Sequence, residues 1–126
     1  MKLTMNNNGV TFPVWLKVRY YENGNLAIVL FFQNGDIIDI WTVVTANLLF
    51  LCDKNYSYID TNNNGEEIRD WLVQNKLATP TRRSDRSGYC TYPIYEFDPE
   101  VLKRLDPKGY NEYIEYWERL YAWADE

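Results

Sequence analysis

At 126 residues, 46% hydrophobic and 17% aromatic with only six Gly and five Pro, the chain has the length and apolar content of one folded domain over residues 1–126, and disorder across its body is not expected. The formal net charge of −5 argues against general nucleic-acid binding, where phosphate neutralisation needs a surplus of Lys and Arg. The chain contains no His, so Ser-His and Cys-His triads are excluded and the commonest neutral metal ligand is missing.

In chain order, Lys2–Met5 and Val10–Phe12 flank Asn7-Asn8-Gly9 and predict a hairpin. Val14–Tyr20 alternates apolar and polar residues, the period of a half-buried strand, and Glu22–Asn25 reads as the next turn. Leu26–Phe32 is a continuous apolar run of strand formers, which predicts a central strand covered on both faces. Asn34-Gly35 predicts a type I′ turn leading into a strand over Ile37–Thr45. Together these segments predict an antiparallel meander of four or five strands. Ala46–Asn55 has no decisive pattern, and Tyr56–Ile59 reads as a short edge strand.

Glu66–Asn75 predicts a helix with Ile68, Trp71 and Leu72 on one face. Pro80 and a basic stretch then read as a break and a solvated loop, before a strand over Tyr89–Phe97 that Pro93 would confine to an edge or a bulge. Asp98-Pro99 and Asp106-Pro107 each place a capping residue before a proline, so two helices are expected to start there. The last helix carries an apolar stripe from Tyr110 through Tyr113, Ile114, Trp117, Leu120 and Tyr121 to Ala124, while Tyr116 and Trp123 fall beside it among carboxylates. The fold class is therefore α+β: an N-terminal antiparallel β-meander packed by an internal helix and by C-terminal helices. Residues 1–98 form the sheet-containing body and residues 99–126 a C-terminal helical extension.

The start of the chain has no apolar run of signal-peptide length and no segment approaches a membrane span, so a cytoplasmic location without membrane contact is expected. Cys52 and Cys90 lack CxxC spacing and read as reduced thiols. Asp60 to Gly65 matches the first half of an EF-hand loop, but Trp71 stands where the bidentate Glu belongs, so the segment reads as an Asn-rich turn capping the following helix. No metal, cofactor or catalytic residue is nominated, and a non-enzymatic role is expected.

Two segments remain as candidate sites. Arg82, Arg83 and Arg86 with Tyr89 and Tyr92 gather guanidiniums and aromatic rings in one stretch, a mixture able to hold a phosphate or stack a base. Residues 96–126 hold nine acidic and four basic side chains. There Glu112, Glu115 and Glu118 with Tyr116 and Trp123 form an acidic, aromatic helix face suited to a protein partner. The aromatics permit a homo-oligomer without requiring one.

Three stretches, Tyr21–Ile28, Asp60–Asn64 and Leu77–Thr81 continuing through Ser87–Asp98, resemble an uncharacterised domain family of small proteins encoded on conjugative and other mobile elements of gut anaerobes. The resemblance covers roughly residues 17–98, departs at Arg82 where Gly is expected before Arg83, and brings no catalytic residues with it. It implies an accessory protein of mobile DNA. An inhibitor of a host defence nuclease, of anti-CRISPR or antirestriction type, is the leading expectation, with the acidic helix facing the nuclease's basic channel. A nucleotide- or nucleic-acid-binding regulator using Arg82–Tyr92, and a structural subunit of a larger assembly, are the alternatives.

Overall fold

The computed structural model describes residues 2–122. Among them, β1 (Leu3–Asn7), β2 (Val10–Tyr20), β3 (Leu26–Asn34) and β4 (Ile37–Val43) form one antiparallel sheet in the order β1-β2-β3-β4. A second antiparallel sheet, β5-β6-β8-β7, is built from β5 (Thr45–Ala46), β6 (Tyr56–Ile59), β7 (Ala78–Ser87) and β8 (Cys90–Phe97). Helices α1 (Thr61–Asn64) and α2 (Glu67–Gln74) lie between β6 and β7, and α3 (Pro99–Leu105) and α4 (Pro107–Tyr121) follow β8. The class is α+β, and the first sheet is the expected meander.

One core joins both sheets and the helices. Leu16, Val18, Ile28 and Leu30 come from the first sheet, Ile59, Tyr95 and Phe97 from the second, and Leu72, Leu102 and Tyr113 from the helices, all buried. Main-chain bonds stitch the sheets together at the crossing, where Val44 N–H donates to Ile28 O and Asp60 N–H to Val44 O.

The strand β2 changes partner midway. Val10–Val14 pairs with β1, whereas Trp15–Tyr20 pairs with β3, so one edge of the second half has no strand beside it. The corner between α3 and α4 occupies that place. Asp106, 6% exposed, accepts the Val18 N–H at 2.9 Å and also the Gly109 N–H at 3.1 Å, the latter capping α4. Arg19 Nη1 stands 3.6 Å from the same carboxylate. Only glycine fits at position 109, because a Cβ there would stand 2.6 Å from Val18 O. The Asp-Pro pair read as a helix start is thus also a clamp on the sheet.

Several local expectations are corrected. The I′ geometry is realised at Asn8-Gly9, with φ of 54° and 84°. At Asn34-Gly35, Asn34 stays in β3 and the turn is Gly35-Asp36 with positive φ at Gly35, the Gly-first pattern of a II′ turn. The basic stretch expected as a loop is the strand β7. An edge position tolerates Pro80, and the ladder with β8 supplies hydrogen bonds that composition does not reveal. In consequence β6 and β8 are interior strands, and Pro93 sits opposite Ser84 where β7 bulges. Of the Leu26–Phe32 run only the first part is covered on both faces: Leu26, Ala27 and Ile28 are buried, whereas Val29, Phe31 and Phe32 are half-buried.

Candidate functional site

Arg82, Arg83 and Arg86 project from β7, but the structure does not gather the five residues of this segment into one cluster. Arg86 pairs across the ladder with Thr91 and Asp85 with Tyr92, so Arg86 and Tyr92 lie on opposite faces of the hairpin. Tyr92 packs instead against a small cluster of Leu48, Tyr58 and Ile94, with Cys52 and Tyr56 alongside. Tyr89 stands at the hairpin tip, 98% exposed. Arg82 has a left-handed backbone, φ 67°, within the bulge, which Thr81 steadies by donating its hydroxyl to Ile94 O at 2.7 Å. Arg82 and Arg83 line a groove of about 320 Å³ together with Arg69 and Glu66. Arg69 was not singled out from the sequence, being 13 residues upstream of Arg82. It is already engaged, donating to Tyr95 Oη at 3.0 Å and pairing with Glu66 at 3.2 Å.

The acidic helix face is as exposed as expected: Glu112, Glu115 and Glu118 all lie in solvent. Tyr116 has a more definite position than its sequence neighbours suggest. Its ring stacks on Tyr20 with centroids 4.2 Å apart, and its hydroxyl donates to Glu22 O at 2.7 Å. Tyr121 donates likewise to Asn23 O at 2.8 Å. The end of α4 therefore clamps the β2–β3 turn. Trp123 lies outside the described residues, as does Ala124.

That turn holds a feature the sequence left unassigned, the segment 47–52. Asn25, 2% exposed, donates its amide to Phe50 O at 2.9 Å and to Asn47 Oδ1 at 3.2 Å, and its carbonyl oxygen accepts the Cys52 N–H at 2.8 Å. Asn23 adds a bond to Leu48 O at 3.2 Å. A buried amide thus fixes the backbone of a loop whose side chains face outward: Leu49 is 98% exposed, and Phe50 and Leu51 are more than half exposed. Leu49 and Ser87 line one groove with Glu22, which sets the loop beside the hairpin tip carrying Tyr89. At its other end Lys54 Nζ lies 3.9 Å from Glu118, so the acidic face of α4 borders the loop. Asn25 reads from sequence only as a turn residue, and nothing in its composition shows that its side chain points inward.

The Asp60 turn carries no cation geometry. Asp60 caps α1, accepting the Asn63 N–H at 3.1 Å and the Asn63 amide at 2.7 Å. Among the described residues no group of three or more His, Cys, Asp or Glu is placed to hold a metal, and no helix is long and apolar enough to cross a membrane.

Cys52 is half-buried. Burial, opposed in part by a hydrogen bond with Tyr58, pushes its thiol from 9.0 up to about 11. Burial and the hydrogen bond to Asp85 push the Tyr58 phenol upward as well. Both groups are held neutral in the folded state. Between the unfolded pKa and the raised folded one, the unfolded chain loses protons that the folded chain keeps, so stability is full below about pH 9 and falls as the pH rises toward about 11. Urea midpoints measured across that range are expected to decline. At neutral pH, iodoacetamide should alkylate Cys52 roughly 100-fold more slowly in the native protein than in urea; equal rates by peptide mass spectrometry would contradict this environment.

A family model described as a domain of unknown function (DUF4313) matches residues 15–117. The match begins at Trp15 in β2 and runs past Asp98 through α3 and most of α4. Searches of curated proteins and of solved structures return no match.

Proposed function

The chain belongs to the DUF4313 family of domains of unknown function, and on that footing we propose that it is a non-enzymatic protein-binding module whose docking surface is the loop Leu49–Leu51 with Tyr89. The observation that carries this reading is Asn25: a buried side chain uses its hydrogen-bonding groups to hold three apolar residues in water. A loop fixed in advance loses little conformational entropy on binding, and clustered exposed apolar side chains are the usual anchors of an interface.

The rim of this surface gives the partner its chemistry. Glu118 lies beside the loop through Lys54, and Glu112 and Glu115 extend the acidic face along α4, so a partner with a basic surface fits. The resemblance to proteins of mobile elements of gut anaerobes supports the more specific reading, an inhibitor of a host defence nuclease that occupies its DNA-binding channel. The test uses wild-type protein as bait in lysate of a gut anaerobe with intact CRISPR and restriction systems, followed by DNA-cleavage assays of the recovered nuclease. Stoichiometric inhibition is expected, with affinity falling at least about 30-fold in a Leu49→Ser/Phe50→Ser variant. Charge reversal at Glu112, Glu115 and Glu118 should weaken it chiefly at low salt. Undiminished inhibition by both variants would reject the surface.

The groove shared by Arg69, Arg82 and Arg83 favours one second reading, a nucleotide- or nucleic-acid-binding regulator. Oligonucleotide titrated at low salt would then quench Tyr or Trp fluorescence, and Arg82→Ala/Arg83→Ala/Arg86→Ala would abolish the signal. A flat titration removes this reading.

A further inference from the structure

We propose that the outer face of the first sheet is where a second copy of this chain docks, face to face, about a two-fold axis. Leu26–Phe32 is apolar at every position, the pattern of a strand covered on both sides. Its core-side residues Ile28 and Leu30 are buried by this chain alone. The opposite face is not covered at its far half. Trp15, Phe31 and Ile40 form one cross-strand row, and Val29 pairs with Val43 in the next. Trp15 is 44% exposed, Ile38 55% and Ile40 52%.

The area suits a dimer. These side chains present on the order of 400 Å² of apolar surface per copy, the size of the largest apolar patch on a typical single chain, which is often functional. Two copies would bury about 800 Å² of it. At the roughly 65% apolar share of homodimer interfaces this corresponds to a total near 1,200 Å², where specific interfaces begin.

Charge placement selects a copy of the same face. Lys17 shares the row of Val29 and Val43 at one end of the patch, and Asp36 sits in the hairpin turn beyond Gln33 and Ile38 at the other. A two-fold axis through the Phe31–Ile40 row sets Lys17 of each copy toward Asp36 of the other, the self-complementarity an isologous contact requires. Extension of the sheet through the edge of β4 is disfavoured. Asn64 already bonds Thr42 Oγ and Val43 O, and the register shift opposite Leu30 and Phe31 interrupts a regular ladder.

Sedimentation equilibrium on the full chain tests the proposal. The wild type should sediment at twice its 15.1 kDa at about 50 μM and dissociate with a constant in the low micromolar range. Ile38→Asp/Ile40→Asp should raise that constant at least about 100-fold, with a urea midpoint unchanged when measured well below the wild-type dissociation constant, where both chains are monomeric, showing that these exposed positions leave the fold intact. Lys17→Glu should raise it about tenfold, and Lys17→Glu/Asp36→Lys in one chain should restore it. A wild-type monomer at about 200 μM, a dimer indifferent to the Ile pair, or one lost only on changing Leu49 and Phe50 would overturn the proposal. An unrestored charge swap would overturn the two-fold arrangement. Of these outcomes only a dimer lost on changing Leu49 and Phe50 bears on the Leu49–Leu51 surface, which it would make a contact between copies; the others leave that surface untouched.

Discussion

Asp106→Ala is expected to lower the unfolding free energy by about 2 to 4 kcal/mol, read as a shift in the urea midpoint at unchanged slope. The cost has two sources. The Val18 N–H, buried beneath the α3–α4 corner, would lose its acceptor, and an unsatisfied buried donor costs about 1–3 kcal/mol. The Gly109 N–H would lose its cap, worth about 1 kcal/mol. Asp98→Ala supplies the comparison, because Asp98 caps α3 through the Glu100 and Val101 N–H groups from an exposed position and should cost only about 1 kcal/mol. Equal losses in the two variants would show that the contact with β2 contributes nothing beyond capping.

The second large effect is expected at Asn25. Asn25→Ala removes three hydrogen bonds to residues 47, 50 and 52 and leaves the Cys52 N–H and the Phe50 carbonyl without their partners, a loss of about 2–3 kcal/mol. The loop effect is more diagnostic than the global one. The Cys52 amide should exchange with solvent at least about 100-fold faster than in the wild type, while amides in the middle of α4 keep their protection relative to global stability. Asn25→Asp keeps the acceptor for Cys52 but turns a buried carboxylate oxygen toward the Phe50 carbonyl and Asn47 Oδ1, so it should cost at least as much as the alanine variant. Uniformly faster exchange across the chain, with no excess at the loop, would reject the role given to this side chain. On the docking reading, the alanine variant also binds its partner more weakly although it touches none of the exposed side chains.

How far the fold could be read from sequence depends on where the stabilising contacts come from. The hairpins at Asn8-Gly9 and the helix starts at Asp98 and Asp106 follow from local chemistry, so they were legible. The strand character of β7 was not, because Arg82, Arg83, Ser84 and Asp85 have no strand pattern of their own, and the strand exists through its ladder with β8. The same holds for the sites. The carboxylates of α4 announce themselves by spacing, whereas Tyr116 was assigned to solvent although Tyr20, 96 residues earlier, stacks on it. Asn25 and Arg69 take their meaning from partners 22 to 27 residues away, and the composition of neither neighbourhood shows it. Trp15, Ile38 and Ile40 were placed in strands correctly; which face each presents depends on register.

The contact between Val18 and Asp106 spans 88 residues, and that span has a cost during synthesis. At about 5–20 residues per second, the outer edge of β2 waits roughly 4 to 18 s after its own translation for the residue that closes it. Over that interval Trp15–Tyr20 is an unguarded strand edge, the kind that recruits neighbouring nascent chains. Yield in a cell should therefore depend on translation speed and chaperone supply more steeply than the stability of the finished protein would indicate.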